Sequence, residues 1–239
     1  MWKSRRVWCR RCLQTRWRPC SIAIAAIGLS AEGLAELHRD DWLLAVEKPA
    51  GLLSQPGLGM HQQDSVITRL QRNDPDLQLA HRLDRDTSGV LLLARGQDAL
   101  RRCNALFARR DVHKLYVADV MGVMRGSGVI HAPLARLQRH PPRYGFHPAG
   151  RSARTRWRVR RSQWNSTRLW LVPFTGRSHQ LRSHLAERGH PIVGDPIYGD
   201  GGSSRLHLHA VALAFRHPFT AQRCRVLSRN QMPCPFQQN

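Results

Sequence analysis

Short apolar stretches separated by turn-forming residues recur along this chain and predict a fold built mainly from β-strands, with a few helices between them. One stretch, residues 90–94, is a continuous apolar run with the length of a fully buried strand. Another stops at residues 48–51, Lys-Pro-Ala-Gly, where proline and glycine favour a turn. We predict strands over residues 41–47, 90–94, 114–121, 154–160 and 168–172.

Helical patterns lie between these strands. Asp64 and Ser65 are both residues that cap helix N-termini, and the apolar spacing after them predicts a short helix. A second helix is predicted over residues 98–109, because its apolar side chains fall on one stripe. Ser178 is predicted to cap a third helix, which ends near Gly189.

A dense polar segment, residues 81–89 (His-Arg-Leu-Asp-Arg-Asp-Thr-Ser-Gly), directly precedes the apolar run at 90–94. The pattern predicts a loop pinned to a rigid strand, where a carboxylate can be held and aimed at a ligand. Asp84 and Asp86 are the candidates for a nucleophile or a general acid or base. The alternative is an ordinary turn that caps the strand, and the spacing alone leaves both open.

The charge of the chain is strongly one-sided. Lysine and arginine together number 38 against 16 aspartates and glutamates, which gives a formal charge of +22 at pH 7. Residues 120–186 contain 13 arginines and no acid. Because a long stretch of one sign repels itself unless a polyanion neutralises it, we predict that this region binds nucleic acid. A genome rich in G and C would explain arginine in place of lysine, but not the missing acids.

Strict alternation over residues 154–160 (Arg-Thr-Arg-Trp-Arg-Val-Arg) predicts a strand with two unlike faces. One face would carry Thr155, Trp157 and Val159 towards a core. The opposite face would carry four arginines, Arg154, Arg156, Arg158 and Arg160. We expect this face to contact nucleic acid, because four like charges on one side repel one another without a partner. The alternative is a merely solvated face.

We predict one folded domain, residues 35–239, preceded by a basic extension, residues 1–34, that is poorly ordered. The extension holds Cys9 and Cys12, half of a zinc motif, but no second pair follows at suitable spacing, so we predict no metal site. Its apolar run, residues 21–29, is too short to span a bilayer. The scattered cysteines fit a reducing compartment, so we expect a cytoplasmic protein without membrane association.

A second dense motif occupies residues 173–185. A strand, a Thr-Gly turn and a helix start follow one another there, which places backbone amides and Arg177 where an anion can sit. His179 and His184 are five positions apart and do not share a helix face, so we interpret both as polar or packing residues. Neither a Walker loop nor a Gly-x-Gly-x-x-Gly motif occurs in the chain, so we expect no nucleotide cofactor.

The sequence His-Arg-Leu-Asp at residues 81–84, followed by Thr-Ser-Gly at 87–89, resembles the signature of the RluA-type pseudouridine synthases. Further blocks of that family are matched in the family's order by residues 48–51, 114–118, 175–182, 189–195 and 205–210. The resemblance covers about residues 38–220. Residues 52–57 and 64–69 look like the RluA branch, which acts on RNA without an S4 domain.

The resemblance implies an α+β fold with a mixed, mainly antiparallel central β-sheet and flanking helices and loops, the pseudouridine synthase catalytic fold. It implies isomerisation of a specific loop uridine to pseudouridine in large-subunit rRNA, in a tRNA anticodon stem-loop, or in both. Such a reaction neither gains nor loses atoms, so it needs no cofactor. The expected partner is therefore structured RNA, and we expect a monomer.

The resemblance also implies roles for single residues. Asp84 would be the nucleophile and would attack either the base or the sugar C1′. Tyr116 would stack on the target base and take part in proton transfer, and Arg182 would pair with Asp84 and orient it. Arg82 would enter the RNA helix where the uridine has flipped out. Further RNA contacts are expected from Arg85, Arg177, His179, Arg154, Arg156 and Arg158.

Two other functions compete with this one. A catalytically idle RNA chaperone or ribosome-assembly factor would use the same basic surface, but the presence of Asp84, Tyr116 and Arg182 argues against it. A retaining-type hydrolase would use Asp84 with Asp86. Residues two positions apart, however, rarely flank one bond from opposite sides.

Overall fold

The computed structural model describes residues 33–203 and 205–230, which contain twelve β-strands and three α-helices. In chain order the strands are β1 (Glu36–Arg39), β2 (Leu43–Lys48), β3 (Leu77–Leu79), β4 (Ser88–Arg95), β5 (His113–Met121), β6 (Ser127–His131), β7 (Leu134–Gln138), β8 (Arg143–Phe146), β9 (Arg154–Ser162), β10 (Ser166–Pro173), β11 (Leu208–Arg216) and β12 (Arg223–Leu227). The helices are α1 (Val66–Gln71), α2 (Gly96–Arg109) and α3 (Gln180–Ala186). All five predicted strands and all three predicted helices are present, with ends that shift by a few residues.

The basic extension, with Cys9 and Cys12, lies outside the described residues except for its last two. Of these, Leu34 is buried in the core. The folded part of the chain therefore includes at least one residue that we assigned to the extension. Among the described residues, no helix has both the length and the apolar character needed to cross a membrane.

Ten strands form one sheet whose main path runs β1-β2-β4-β11-β5-β10-β9-β6. In addition, β3 pairs with β4 and β12 pairs with β11, while β7 and β8 form a separate hairpin. The pairing of β4 with β11 is parallel, and all the other pairings are antiparallel. The prediction of a mixed, mainly antiparallel sheet with flanking helices is confirmed.

Apolar side chains on the two faces of the sheet form two cores. On the face that we call the front, residues such as Tyr116 and Trp157 pack with Leu181 and Leu185 of α3. On the opposite face, the back, alternate residues of β2 and β4 pack against α2. Successive residues of a strand point to opposite faces, so a single strand contributes to both cores. The front core, with α3, is the one that supports the candidate site.

The start of α3 differs from the prediction, whereas Ser65 caps α1 as expected. Ser178 was predicted as the N-cap of α3, and this is wrong. The N-cap is His179, whose backbone lies in the left-handed region with φ 52° and ψ 20°. The side chain of His179 makes no capping hydrogen bond to α3. The Oε1 of Gln180 instead accepts the backbone N–H of Arg177 at 3.0 Å, in the turn that precedes the helix.

The segment beyond Thr220 adds strand β12 to the sheet, next to β11. The residue that follows β12, Ser228, also contacts β2 and β11. Ser228 Oγ donates to Glu47 Oε1 at 2.9 Å and lies 2.7 Å from His209 Nε2. This partly buried chain of hydrogen bonds connects the segment after β12 to β2 and β11.

Candidate active site

Residues 81–89 form a loop that leads into β4, as the sequence predicted. The loop contains a tight turn in which the backbone N–H of Thr87 donates to the carbonyl oxygen of Asp84 at 3.1 Å. Gly89 follows with φ 113°, and a Cβ there would lie 2.2 Å from the carbonyl oxygen of Ala210 on β11. Only glycine tolerates that approach, so the end of the loop is anchored where β4 and β11 run parallel.

A buried lysine clamps the backbone of this loop. Lys48 is fully buried, and its Nζ donates to the carbonyl oxygens of Pro49, Leu52 and Arg85 at 2.8, 2.6 and 2.7 Å. Burial lowers the pKa of Lys48 to about 8. The loop that carries Asp84 is thus fixed to the Lys-Pro-Ala-Gly turn by a side chain that is itself immobile.

Asp84 lies beside Arg182 of α3. Arg182 Nη1 is 3.5 Å from Asp84 Oδ2, and the Asp84 side chain is 25% exposed whereas that of Arg182 is 3% exposed. The carboxylate is therefore reachable from outside, while the guanidinium is not. The structure brings together the two residues that the sequence analysis placed at the centre of the site.

The shorter contacts of Arg182 are with a residue that the sequence analysis missed. Its Nε and Nη2 donate to the two carboxylate oxygens of Asp195, both at 2.7 Å. Burial opposes ionisation of Asp195, but the hydrogen bonds and the charge of Arg182 outweigh it and hold the pKa of Asp195 below its usual value. Asp195 therefore fixes the plane of the guanidinium, and the remaining nitrogen faces Asp84.

Tyr116 of β5 lies on the same side of the sheet. Its ring belongs to the front core and is 9% exposed. Burial, and secondly the negative charge of Asp84, raise the pKa of Tyr116 far above its usual value. The phenol is therefore protonated at neutral pH, and it presents a neutral ring close enough to Asp84 for the two to interact.

The rings of Tyr144, His179 and Tyr198 contact one another beside Arg182, and we call them the wall of rings. The Tyr198 hydroxyl accepts the backbone N–H of Tyr144 at 2.8 Å and donates to the backbone oxygen of Tyr144 at 3.0 Å. His179 Nδ1 is 3.1 Å from the same hydroxyl, and the guanidinium of Arg182 lies over the Tyr198 ring at 5.3 Å. Burial raises the pKa of Tyr198 to about 12 and lowers that of His179. Tyr198 thus connects α3 to the β7–β8 hairpin.

Two of the predicted RNA-binding arginines, Arg82 and Arg85, flank Asp84 in the loop. Arg82 is exposed, and its charge adds to the effect of burial in lowering the pKa of His179, so it lies near that ring. We call the partly open surface around Asp84, Arg182 and His179 the cleft. Arg85 is also exposed, but its Nε donates to Asp86 Oδ1 at 3.0 Å. Arg82 is therefore the better placed of the two to meet a ligand above Asp84.

The arginines of β9 lie elsewhere. As predicted, Thr155 and Trp157 are buried and the four arginines that alternate with them are exposed. Thr155 Oγ1 contacts Gln180 and His184 of α3 at 3.0 Å, so the buried residues point to the front and the arginines to the back. Arg177 is held apart from the cleft as well, since its Nε donates to the carbonyl oxygen of Ser152.

The chain is similar in sequence and in structure to several known proteins. Residues 42–187 match the family model of RNA pseudouridylate synthase. The chain is 38% identical over 206 residues to the dual-specificity RNA pseudouridine synthase RluA of Vibrio cholerae serotype O1, covering 84% of this chain and 82% of that one. The protein of the same name from Yersinia pestis is 41% identical over 189 residues, which cover 76% of this chain and 92% of the relative. Among solved structures, human RNA pseudouridylate synthase domain containing 1 superposes with a TM-score of 0.71 at 25% identity, covering 84% of this chain and 85% of the human one.

Proposed function

Because this chain belongs to the RNA pseudouridylate synthase family and is an RNA pseudouridine synthase, we propose that it isomerises a specific loop uridine in large-subunit rRNA, in a tRNA anticodon stem-loop, or in both. The observation that carries the assignment of the site is the 3.5 Å contact between Asp84 and Arg182, which puts a reachable carboxylate beside a buried cation. The words "dual-specificity" in the names of the RluA relatives support more than one RNA substrate.

Asp84 acts as the nucleophile and forms a covalent bond to the bound uridine, either at the base or at C1′ of the ribose. If Asp84 attacks C1′, the bond between N1 and C1′ breaks as the new bond forms; if it attacks the base, that bond breaks afterwards. The uracil then turns, and C5 bonds to C1′ while the bond to Asp84 is released. C5 loses a proton and N1 gains one. The product has the same atomic composition and oxidation state as the uridine, so the reaction proceeds without a cofactor.

Arg182 positions the nucleophile. A guanidinium that donates two hydrogen bonds to one carboxylate has a fixed plane, and its third nitrogen then defines where a second carboxylate sits. Asp195 accepts these two hydrogen bonds, and Asp84 lies beside the third nitrogen, Nη1. Held in this way, Asp84 needs little reorganisation when the substrate arrives.

Tyr116 packs on the uracil as a neutral ring, and we assign to its hydroxyl a part in moving the C5 proton. Burial and the charge of Asp84 keep that hydroxyl protonated between turnovers, because both raise the pKa of Tyr116. Arg82, exposed above the cleft, fills the space that the uridine leaves in the RNA. Flipping a nucleotide out of a stack costs a few kcal/mol and least in a loop, which favours a loop uridine as the target.

Asp84→Asn tests the assignment of the nucleophile. We expect pseudouridine formation in transcribed rRNA and tRNA to fall by roughly 10⁴-fold or more, while RNA binding changes little, because the amide has nearly the same shape but is not a nucleophile. The matched control is Asp111→Asn, which removes the same charge from an exposed pair with Arg109. Retention of activity in Asp84→Asn would refute the proposed role, and mapping of pseudouridines in a deletion strain would identify the target uridine.

A further inference from the structure

The back face of the sheet carries a cationic surface that the proposed reaction does not use. We call it the arginine row and define it as Arg154, Arg156, Arg158 and Arg160 of β9 together with the rings of Trp170 and Phe174. All four arginines are exposed. They point away from α3 and therefore away from the cleft that contains Asp84 and Arg182, so they cannot bind the nucleotide that enters that cleft.

Aromatic rings organise this row. The guanidinium carbons of Arg154 and Arg156 lie 4.6 and 5.3 Å from the centre of the Phe174 ring, and that of Arg160 lies 4.9 Å from the Trp170 ring. Stacking on a ring orients a guanidinium without neutralising it, because the attraction comes from the ring quadrupole and not from an opposite charge. The outer edges of these groups therefore remain able to donate hydrogen bonds to an anion.

The acids nearest in sequence are already engaged. Asp119 is buried and accepts two hydrogen bonds from Arg168 at 2.7 and 2.8 Å. Glu187 accepts from the Ser183 hydroxyl at 3.2 Å. Between these two acids the chain contains neither aspartate nor glutamate, so the segment that builds the row brings no carboxylate of its own to it.

One end of the arginine row opens into a cavity of about 350 Å³, whose lining includes Arg110, Lys114, Arg154 and Phe174. Lys114 Nζ donates to the carbonyl oxygen of Thr175 at 3.1 Å. Every ionisable side chain in the lining is an arginine, a lysine or a histidine. Burial lowers the pKa of Lys114 to about 8, and a bound anion would offset this effect. A concave site with this lining suits a phosphate group.

The dimensions also suit a nucleic acid backbone. Alternate residues of a strand are about 6.6 Å apart, which is close to the separation of successive phosphates along one nucleic acid strand. Only β6 separates β9 from the edge of the sheet. Near that edge Arg125 and Arg188 line a second groove, beside Trp157 of the front core. An RNA segment that leaves the front cleft can therefore turn around one strand, roughly 5 Å wide, and reach the row.

We infer that the arginine row is a second RNA-binding surface, which holds the phosphate backbone of a segment outside the stem-loop that enters the cleft. The inference takes from the proposed function only that the partner is RNA. Contacts of this kind are independent of sequence and position the RNA without reading it. Because both surfaces would engage one RNA, the second contact raises the local concentration of the target loop at the cleft.

The test compares a full-length tRNA transcript with its isolated anticodon stem-loop as probes, using fluorescence anisotropy at several salt concentrations. For Arg156→Glu with Arg158→Glu, we expect roughly tenfold weaker binding of the transcript. We also expect the slope of log K against log salt to become shallower by about 1.5, because each phosphate contact contributes roughly 0.7–0.9. Binding and turnover of the stem-loop should change by less than about twofold.

The matched control is Arg101→Glu with Arg109→Glu, which makes the same charge change at exposed positions of α2. It should leave the slope unchanged. An equal effect in this control, an unchanged slope in the row variant, or an equal loss on the stem-loop would each overturn the inference. If the row variant failed to fold, Arg156→Gln with Arg158→Gln should reproduce the shallower slope. Failure of the wild type to modify any transcript would contradict the proposed function instead and would not affect the comparison of slopes.

Discussion

Arginine serves opposite purposes on the two faces of the sheet. On the front, Arg182 is buried, bound by Asp195 on one side and directed at Asp84 on the other. On the back, the four arginines of the row are exposed, and Arg154, Arg156 and Arg160 stack on aromatic rings. A buried, doubly bonded guanidinium fixes the position of a reacting group, whereas an exposed, stacked one can adjust to a flexible ligand. Arginine content therefore says little until burial and partners are known.

Among the substitutions that test this difference between the two faces, Asp195→Asn is expected to have the largest effect on stability. It leaves the buried cation of Arg182 without its main counter-charge. We expect the free energy of unfolding to fall by about 3 kcal/mol, because the longer contact with the partly exposed Asp84 compensates the buried charge only in part. Denaturant unfolding at pH 7 measures this. The double variant Arg182→Met with Asp195→Leu should be destabilised less than the single one. A loss below about 1 kcal/mol in Asp195→Asn would mean that Arg182 does not depend on Asp195.

Lys48 is a second buried cation, and its substitution tests whether the front face depends on other fixed positive groups besides Arg182. Lys48→Met removes the donor from three carbonyl oxygens, so we expect a loss of about 2 kcal/mol in unfolding free energy. Catalysis should fall by roughly a hundredfold, since a small displacement of Asp84 is enough for that. Single-turnover assays separate this loss from RNA binding. Full activity in Lys48→Met would show that the clamp is dispensable.

The same lysine gives a pH dependence with a definite sign. The pKa of Lys48 is about 8 in the folded chain and 10.5 when it is free in solution. Between these values the unfolded chain binds more protons, so the contribution of Lys48 to stability rises as the pH increases from 8 to 10.5. The difference in unfolding free energy between wild type and Lys48→Met should therefore widen in this window. A constant difference would contradict the lowered pKa.

A smaller loss is expected at the wall of rings. Tyr198→Phe removes the acceptor for the backbone N–H of Tyr144, so we expect about 1–2 kcal/mol less stability and a several-fold higher KM for RNA. The matched control is Tyr144→Phe, which removes an exposed hydroxyl bonded to Arg136 and should change stability by less than about 0.5 kcal/mol. Equal effects of the two substitutions would mean that the hairpin is not held through Tyr198.

The smallest effect is expected on the back. Arg160→Gln removes an exposed side chain that stacks on Trp170, and we expect unfolding free energy to change by less than about 0.5 kcal/mol. The same denaturant assay applies. A loss above about 1.5 kcal/mol would erase the contrast with Arg182, because the row would then be part of the folded framework.

Local patterns were sufficient for much of this fold. Apolar runs and turn residues predicted the strands and helices because both signals act over a few residues. The density of polar residues before β4 marked the loop of Asp84 for the same reason. The sequence could not predict Asp195 as the main partner of Arg182. Asp195 lies in a Gly-Asp-Pro turn, and its burial depends on how that turn packs against α3.

Two other features depended on tertiary structure. Ser178 satisfied the local rule for an N-cap, but α3 begins one residue later, at the left-handed His179, whose side chain does not cap it. Long-range hydrogen bonds of Gln180 and His184 to Thr155 hold α3 in place instead. Alternation along β9 predicted correctly that its arginines are exposed. It could not predict that they face away from Asp84, because that follows from the order of strands β5, β10 and β9 in the sheet.

The place of β11 in the sheet governs when this enzyme becomes complete during synthesis. β4, which carries the loop of Asp84, does not pair with β5, which carries Tyr116; each pairs with β11. Until Leu208–Arg216 have left the ribosome, the two halves of the site belong to separate pieces of sheet. A growing chain therefore cannot modify RNA before β11 has joined β4 and β5 in the sheet.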